Sequence, residues 1–180
     1  MRIIGGEFGG RRINPPAKMP VTRPTTDIAK EGLFNILQAN GKIEGIKTLD
    51  LFGGTGCISF ELASRGAADL SVVEKNFDME RFIRKTADEL GLANLKTFRS
   101  DVFRFLNDHT GKYDFIFAGP PYALETIDLL PQLIVQGNFL KKNGWFVLEH
   151  TPRNHYENYP LFATERNYGT TFFSIFINKS

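Results

Sequence analysis

The chain has 180 residues, of which 42% are hydrophobic and 23% charged, and its formal net charge is +2, values typical of one globular domain with a full core. It contains no run of about 18 apolar residues, and no apolar segment follows the basic residues near its start, so we expect neither a membrane-spanning helix nor a secretory signal. Cys57 is the only cysteine, so no internal disulfide can form and a reducing, cytoplasmic location is expected.

The first 30 residues form a basic segment on an otherwise near-neutral chain. They carry six bases against two acids, a net charge of +4, which leaves −2 for the remaining residues. The bases are Arg2, Arg11, Arg12, Lys18, Arg23 and Lys30. This distribution is typical of an arm that binds phosphate groups, and the alternative is a solvated, partly disordered tail.

A helix is predicted directly after the basic arm. Thr26 can cap its first turn, and Gly41 ends it after about Gln38. We therefore divide the chain into an appendage, residues 1–40, made of the arm and this helix, and a main domain, residues 41–180. The apolar stripe that would face the domain consists of Ile28, Leu33, Phe34 and Leu37.

From Lys47 onward, short apolar strands alternate with helical segments. The last part of the chain alternates polar and apolar residues on both sides of Tyr168-Gly169, which is typical of an antiparallel hairpin. Together these features predict an α/β fold, a doubly wound and mostly parallel seven-stranded sheet of the Rossmann-like kind found in class I methyltransferases. The predicted strands are residues 48–52, 70–73, 95–99, 113–117, 145–149, 162–167 and 171–177.

A glycine-rich turn follows the first predicted strand. Residues 50–56 read Asp-Leu-Phe-Gly-Gly-Thr-Gly, and glycines at a strand's carboxyl end let the backbone turn sharply and approach a ligand. The turn is a weak signal by itself, because dinucleotide-binding enzymes share it. Their fingerprint is incomplete here, since Ser59 occupies the position of its last glycine.

Acidic residues end three consecutive predicted strands. Asp50 can orient a ligand amine, Glu74 can accept hydrogen bonds from both ribose hydroxyls, and Asp101 can accept one from an adenine amino group. A cationic sulfonium carries no pyrophosphate, so this acidic site favours S-adenosylmethionine (AdoMet) over a dinucleotide. The expected cofactor-binding residues are Asp50, Phe52, Gly54, Gly56, Glu74, Lys75, Asp101 and Val102.

The fourth predicted strand leads into the candidate catalytic loop, Gly119-Pro120-Pro121-Tyr122. Prolines fix the backbone and lack N–H donors, which leaves carbonyl groups available to face a pocket. Tyr122 can stack on a planar base, a contact typically worth about 1–3 kcal/mol. A rigid loop with a packed tyrosine is the structural alternative.

Several motifs resemble those of the RsmD family, and they extend over essentially the whole chain. They are residues 2–6, 23–27, 34–37, 50–56 and 64–67, the Pro-Pro-Tyr loop, and Tyr168-Gly169. The resemblance implies AdoMet as cofactor and the exocyclic N2 of a guanine as methyl acceptor. It also implies 16S ribosomal RNA, in an assembled or partly assembled small ribosomal subunit, as substrate. We further expect a monomer.

One residue departs from the family's catalytic loop, which reads Asp-Pro-Pro-Tyr where this chain has Gly119. A carboxylate there would accept hydrogen bonds from the guanine amino group and favour the charge that develops on nitrogen. Loss of one such group typically costs about 3–4 kcal/mol, or 10²–10³ in rate. Since a backbone carbonyl of Gly119 or Pro120 could replace only part of this effect, we expect AdoMet binding with slow methyl transfer.

The basic arm is expected to position RNA while the pocket receives a flipped base. The residues assigned to RNA are Arg2, Arg11, Arg12, Lys18, Arg23 and Thr25, although residues 23–25 could instead brace the following helix. Three other functions stay open: methylation of an amino group in DNA or a protein glutamine, silent AdoMet and RNA binding in ribosome assembly, and dinucleotide-dependent oxidoreduction. No metal is expected, because His109, His150, His155 and Cys57 lack metal-ligand spacing.

Overall fold

A computed structural model describes residues 1–18 and 24–180, in which a seven-stranded sheet is flanked by helices. The helices are α1 (Asp27–Ala39), α2 (Cys57–Ser64), α3 (Phe77–Glu89), α4 (Val102–Asp108) and α5 (Leu129–Gln136). Within the described ranges, none of them is long and apolar enough to cross a membrane. The strands are β1 (Lys47–Leu51), β2 (Asp69–Val73), β3 (Leu95–Phe98), β4 (Tyr113–Ala118), β5 (Leu140–His150), β6 (Phe162–Tyr168) and β7 (Thr171–Ile177).

The strand order is β3-β2-β1-β4-β5-β7-β6. Strands β1 to β5 are parallel to one another, whereas β7 is antiparallel to both β5 and β6. The chain leaves β1 toward β2 and β3, then returns to place β4 on the other side of β1. Ligands of open α/β sheets bind outside the carboxyl ends of the strands at such a reversal. The predicted fold is therefore confirmed, and it directs attention to the ends of β1 and β4.

Helix α1 begins where the sequence predicts, but its buried face is shifted. The Thr26 hydroxyl accepts a hydrogen bond from the Ala29 N–H at 3.2 Å and caps the first turn. The prediction that Ile28 belongs to the apolar stripe is wrong, because its side chain is 74% exposed. Ala29 takes the place of Ile28, since it lies four residues before Leu33 on the same side of the helix. The buried apolar residues of this helix are Ala29, Leu33, Phe34 and Leu37.

The apolar face of α1 packs against the end of the chain. It belongs to the same hydrophobic cluster as Phe173 and Ile175 of β7. Gly32 permits the contact with β6, because a Cβ at this position would lie 2.1 Å from the Tyr168 Cζ atom. The division of the chain at residue 40 stays a prediction, but α1 shares its core with the main sheet.

The start of the arm is a folded hairpin and not a solvated tail. Arg2 and Arg12 form an antiparallel bridge, and the Ile3 N–H donates to the Arg11 carbonyl at 3.0 Å. Ile3 and Ile13 are buried in a cluster with α3 residues. The hairpin therefore presents its arginines from a fixed backbone.

Glu61 of α2 anchors this hairpin from inside the protein. Its carboxylate, which is fully buried, accepts hydrogen bonds from the Ile4 and Gly5 N–H groups, both at 2.9 Å. The Arg65 Nε donates to the same carboxylate at 3.0 Å, and the Lys30 Nζ lies 3.7 Å from it. Two cations and two backbone donors thus offset the cost of burying one carboxylate.

Two differences from the sequence prediction exceed a shift of one or two residues at the end of an element. Helix α4 was not predicted, and Asp101 caps it by accepting a hydrogen bond from the Arg104 N–H at 3.1 Å. Strand β5 begins at Leu140, before the expected start at residue 145, because its first part pairs with Tyr113 ahead of a register shift. Both differences arise from pairing or capping partners that a local pattern of hydrophobic residues does not reveal.

Candidate active site

A cavity of about 540 Å3 opens at the carboxyl ends of the parallel strands. Its size is in the range of ligand sites, which typically measure about 300–1,000 Å3. The lining combines the glycine turn, the ends of β2 and β5, the start of α4 and the loop after β4. The lining residues that the sequence singled out are Asp50, Phe52, Gly54, Glu74, Lys75, Asp101 and Val102, together with Gly119, Pro120, Pro121 and Tyr122.

The glycine turn is held in a left-handed conformation at several positions. Phe52 has a φ of 64°, which costs a residue other than glycine about 1–3 kcal/mol and is typical of functional sites. Gly56, expected to contact the cofactor, does not line the cavity. It has a φ of 81°, and a Cβ there would lie 2.6 Å from the Phe60 ring. Gly56 therefore allows the tight turn that leads into α2.

Glu74 ties the end of β2 to the glycine turn. Its Oε2 atom accepts a hydrogen bond from the Gly54 N–H at 2.8 Å, and its Oε1 atom accepts one from the Asn76 N–H at 3.0 Å. Each carboxylate oxygen has a second lone pair. The side chain can therefore fix the turn and still accept hydrogen bonds from a ligand's hydroxyl groups.

Asp50 is a buried acid beside this carboxylate. Burial raises its pKa from 3.8 to about 7, although the Ser59 hydroxyl, which donates to Oδ2 at 2.7 Å, acts in the opposite direction. The neighbouring charge of Glu74 contributes to the same increase. A positively charged ligand would relieve both effects, because it favours the ionised form of each acid. The cavity thus suits a cation.

The candidate catalytic loop leaves little room for a side chain at position 119. A Cβ on Gly119 would lie 3.0 Å from the Phe117 Cε1 atom and 3.8 Å from the Glu149 Oε2 atom. Pro120 is buried, and Tyr122 is half-buried at the edge of the cavity. The loop therefore brings the positions expected of a catalytic loop to one wall of the cavity.

Glu149 is a functional candidate that the sequence analysis did not single out. It lies near the end of β5, lines the cavity and is only 2% exposed. The Thr25 hydroxyl, assigned to RNA from the sequence, donates a hydrogen bond to its Oε1 atom at 2.6 Å. The signal was available, since Glu149 ends a predicted strand in the same way as Asp50 and Glu74.

A second cavity, of about 640 Å3, separates the arm from α3. Its basic lining residues include two on α3, Arg81 and Lys85, that the sequence analysis did not assign to RNA. Of the residues that it did assign, Arg2 and Thr25 lie outside this lining, and Arg23 falls outside the described residues. We call this cavity the basic groove; its basic residues are Arg11, Arg12, Lys18, Arg81 and Lys85.

The surroundings of Cys57 and His150 favour a structural role for both side chains. Burial raises the pKa of the Cys57 thiol to about 11, which keeps it protonated and argues against a nucleophile. His150 is fully buried, with its ring nitrogens 2.7 Å from the Thr151 carbonyl and the Ser174 hydroxyl, and burial lowers its pKa. Over residues 1–18 and 24–180, no group of three His, Cys, Asp or Glu side chains could hold a metal ion.

Comparisons with known proteins agree along most of the chain. The family model described as conserved hypothetical protein 95 matches residues 1–177. Ribosomal RNA small subunit methyltransferase D of Escherichia coli strain K12 is 33% identical over 149 residues, which are 83% of this chain and 71% of that protein.

Solved structures share the fold. The Escherichia coli protein yhhF superposes with a TM-score of 0.88 at 24% identity, covering 99% of this chain and 98% of that one. A Thermus thermophilus 16S rRNA N2 G1207 methyltransferase, RsmC, in complex with AdoMet and guanosine, superposes with a TM-score of 0.69 at 21% identity. That alignment covers 88% of this chain and 45% of that one.

Proposed function

The chain belongs to the RsmD family, and from this membership we propose that it transfers a methyl group from AdoMet to the exocyclic N2 of a guanine in 16S ribosomal RNA. The observation that carries the proposal is the cavity in which the acidic strand ends meet the Pro-Pro-Tyr loop. The substrate would be the RNA of an assembled or partly assembled small ribosomal subunit, met in the cytoplasm by a monomer.

The chain's own residues suit AdoMet. When bound, AdoMet supplies a methyl group on a cationic sulfur. Asp50 and Glu74 offer negative charge to a cationic ligand, and Glu74 can accept hydrogen bonds from ribose hydroxyls while it holds the glycine turn. Asp101 and Val102 line the same cavity and could contact the adenine ring, and Tyr122 could stack on the acceptor base.

AdoMet affinity should increase with pH because of Asp50. Because burial raises the pKa of Asp50 from 3.8 to about 7, its contribution to the stability of the free protein is fully present below pH 3.8 and is lost as pH rises from there through 7. Binding of a cation requires the ionised form, so affinity should increase about tenfold between pH 6 and pH 8. Calorimetric titration of the parent and of Asp50→Asn would measure this. Asp50→Asn cannot ionise at this position, so any pH dependence that remains in it comes from AdoMet itself. Equal slopes of AdoMet affinity against pH in the two proteins would contradict the prediction.

We propose that the basic groove binds the RNA backbone. Arg11 and Arg12 stand on the hairpin, and Arg81 and Lys85 lie across the groove on α3. The five bases of the lining outnumber its two acids, Asp78 and Glu89. Neutralised phosphates release counterions, which makes such binding depend on salt. The fixed backbone of the hairpin would limit the entropy lost when RNA binds.

Removal of two groove arginines should weaken RNA binding and reduce its salt dependence. We expect Arg11→Ala with Arg12→Ala to lower affinity for small ribosomal subunits about tenfold in low salt, and to reduce the slope of log K against log salt by about 2. Filter binding over a salt series would measure both quantities. Lys142→Ala with Lys179→Ala removes two exposed cations outside the groove and is the matched control. An unchanged salt slope in the arginine variant would contradict the assignment.

The test of the proposed function is methyl transfer followed by identification of the product. Purified protein would be incubated with labelled AdoMet and unmethylated small ribosomal subunits, and the RNA digested for mass spectrometry. The proposal predicts N2-methylguanosine. Label in DNA or in a protein glutamine would overturn it in favour of another amino acceptor. AdoMet and RNA binding with no transfer would favour a silent assembly factor.

A further inference from the structure

Glu149 places a carboxylate beside the position where the family's catalytic loop carries aspartate. Its Oε2 atom lies 3.8 Å from the place that a Cβ of residue 119 would occupy. The carboxyl carbon of an aspartate there would extend only about 1.5 Å beyond that Cβ. The two carboxylates would therefore serve the same part of the cavity.

The structure holds Glu149 in place in a manner that suits a substrate-facing group. The side chain is 2% exposed and lines the cavity together with Gly119 and Tyr122. Thr25 donates its hydroxyl proton to Oε1 at 2.6 Å, and the Oε2 atom is the one nearest position 119. Burial of a carboxylate costs free energy, and a site that excludes water strengthens its hydrogen bonds to a ligand.

We propose that the Glu149 carboxylate binds the N2 amino group of the acceptor guanine and takes the proton that this group loses, with Thr25 as its positioning residue. The inference rests on the function proposed above and names the group that performs it. Under this proposal, Gly119 does not leave the cavity without a carboxylate, because β5 supplies one in place of the catalytic loop.

Every electron pair and proton of the proposed methyl transfer is accounted for, with Glu149 as the proton acceptor. The lone pair of the amino nitrogen forms the bond to the methyl carbon while the bond from that carbon to sulfur breaks, and its electron pair stays on the now neutral sulfur. The nitrogen gains positive charge and loses one proton, which Glu149 accepts and later releases to water. A carboxylate that accepts the N–H hydrogen bond beforehand orients the nitrogen lone pair and stabilises the developing charge.

A second carboxylate at position 119 should add little while Glu149 is present. The Cβ of a Gly119→Asp variant would press on Phe117 at 3.0 Å and bring two carboxylates together. Like charges so close cannot both ionise easily, so one would be protonated and lose its function as a proton acceptor. In a Glu149→Gln background the repulsion disappears, and the same aspartate should restore transfer.

The experiment compares the parent with Glu149→Gln, Gly119→Asp and the double variant, in single-turnover methyl transfer to unmethylated small ribosomal subunits. We expect Glu149→Gln to slow transfer 10²–10³-fold while AdoMet affinity changes less than threefold. Gly119→Asp alone should gain less than threefold, whereas in the Glu149→Gln background it should restore at least tenfold. Undiminished transfer by Glu149→Gln, or a hundredfold gain from Gly119→Asp alone, would overturn the inference.

A binding readout separates this inference from the proposed function. With S-adenosylhomocysteine present, guanosine and inosine, which lacks the 2-amino group, would be titrated into the parent and Glu149→Gln and followed by NMR. We expect the parent to prefer guanosine and the variant to lose that preference. Equal preference in both proteins overturns the role of Glu149 even where transfer is slow, whereas a parent that prefers guanosine but methylates no ribosomal RNA contradicts only the proposed substrate.

Thr25 provides a variant that tests the same assignment if Glu149→Gln fails to fold. Thr25→Val removes the hydrogen bond at 2.6 Å but keeps the shape of the side chain, and Thr25→Ser keeps the hydroxyl. We expect Thr25→Val to reduce both transfer and the preference for guanosine about tenfold, and Thr25→Ser to restore them. Equal behaviour of the two variants would show that the hydroxyl does not position Glu149.

Discussion

Replacement of Glu61 by alanine should lower the free energy of unfolding by about 3–5 kcal/mol, the range observed when one partner of a buried ion pair is removed. The variant leaves the Ile4 and Gly5 N–H groups without their acceptor and Lys30, 2% exposed, without its carboxylate. For a chain of this length, the melting temperature should fall by about 6–20 °C. Denaturant titration and thermal melting would measure the two quantities.

The matched control for Glu61 is Glu89→Ala on α3. Glu89 also stands four residues from a base, but this pair is exposed and 4.0 Å apart, so its loss should change stability by less than about 1 kcal/mol. Hydrogen exchange at residues 1–13 should increase in the Glu61 variant and not in the control. A Glu61 variant that melts within 2 °C of the parent would show that the arm is anchored by its apolar contacts alone.

Replacement of Glu74 by alanine should weaken AdoMet binding about a hundredfold. The variant removes the acceptor of the Gly54 and Asn76 N–H groups and, with it, the proposed acceptor of the ribose hydroxyls. Hydrogen bonds to a charged group contribute about 1.5–3 kcal/mol, so the loss of turn order and of one ligand contact corresponds to about two orders of magnitude. Isothermal titration calorimetry would measure the dissociation constant.

Glu74→Gln separates the two contributions of that carboxylate. The amide keeps one acceptor oxygen for the glycine turn but loses the negative charge, so affinity should be intermediate between those of the parent and the alanine variant. Asp101→Asn is the parallel substitution at the next strand end, where the acid is exposed. AdoMet affinity within threefold of the parent in Glu74→Ala would contradict the role of the β2 carboxylate.

Much of the fold and of the cavity could be predicted because both depend on local patterns. Strand β4 is apolar along nearly its whole length. Asp50 lies near the end of β1, which pairs with β4, and Glu74 directly follows β2, which pairs with β1. Parallel strands bring their carboxyl ends to one edge, so a position along the chain is enough to place these acids together. The same rule applied to β5 would have identified Glu149.

The basic groove and the anchoring of the arm could not be predicted from those patterns. Arg81 and Lys85 lie one turn apart on α3, which on the sequence alone reads as a solvated face. They become part of a groove only because the arm packs across the helix, and Glu61 fixes the arm through a contact between residues far apart in sequence. Long-range contacts of this kind are set by tertiary packing, which also determines that Ile28 faces solvent.

The packing of α1 against β7 has a consequence for synthesis on the ribosome. Helix α1 leaves the ribosome well before Phe173 and Ile175, which share its hydrophobic cluster but lie far later in the chain. Until they leave the exit tunnel, Leu33, Phe34 and Leu37 have no complete surface to cover them. The nascent chain therefore carries an exposed apolar helix during that interval, a state in which chaperone binding competes with aggregation. Truncation before β7 would make that state permanent.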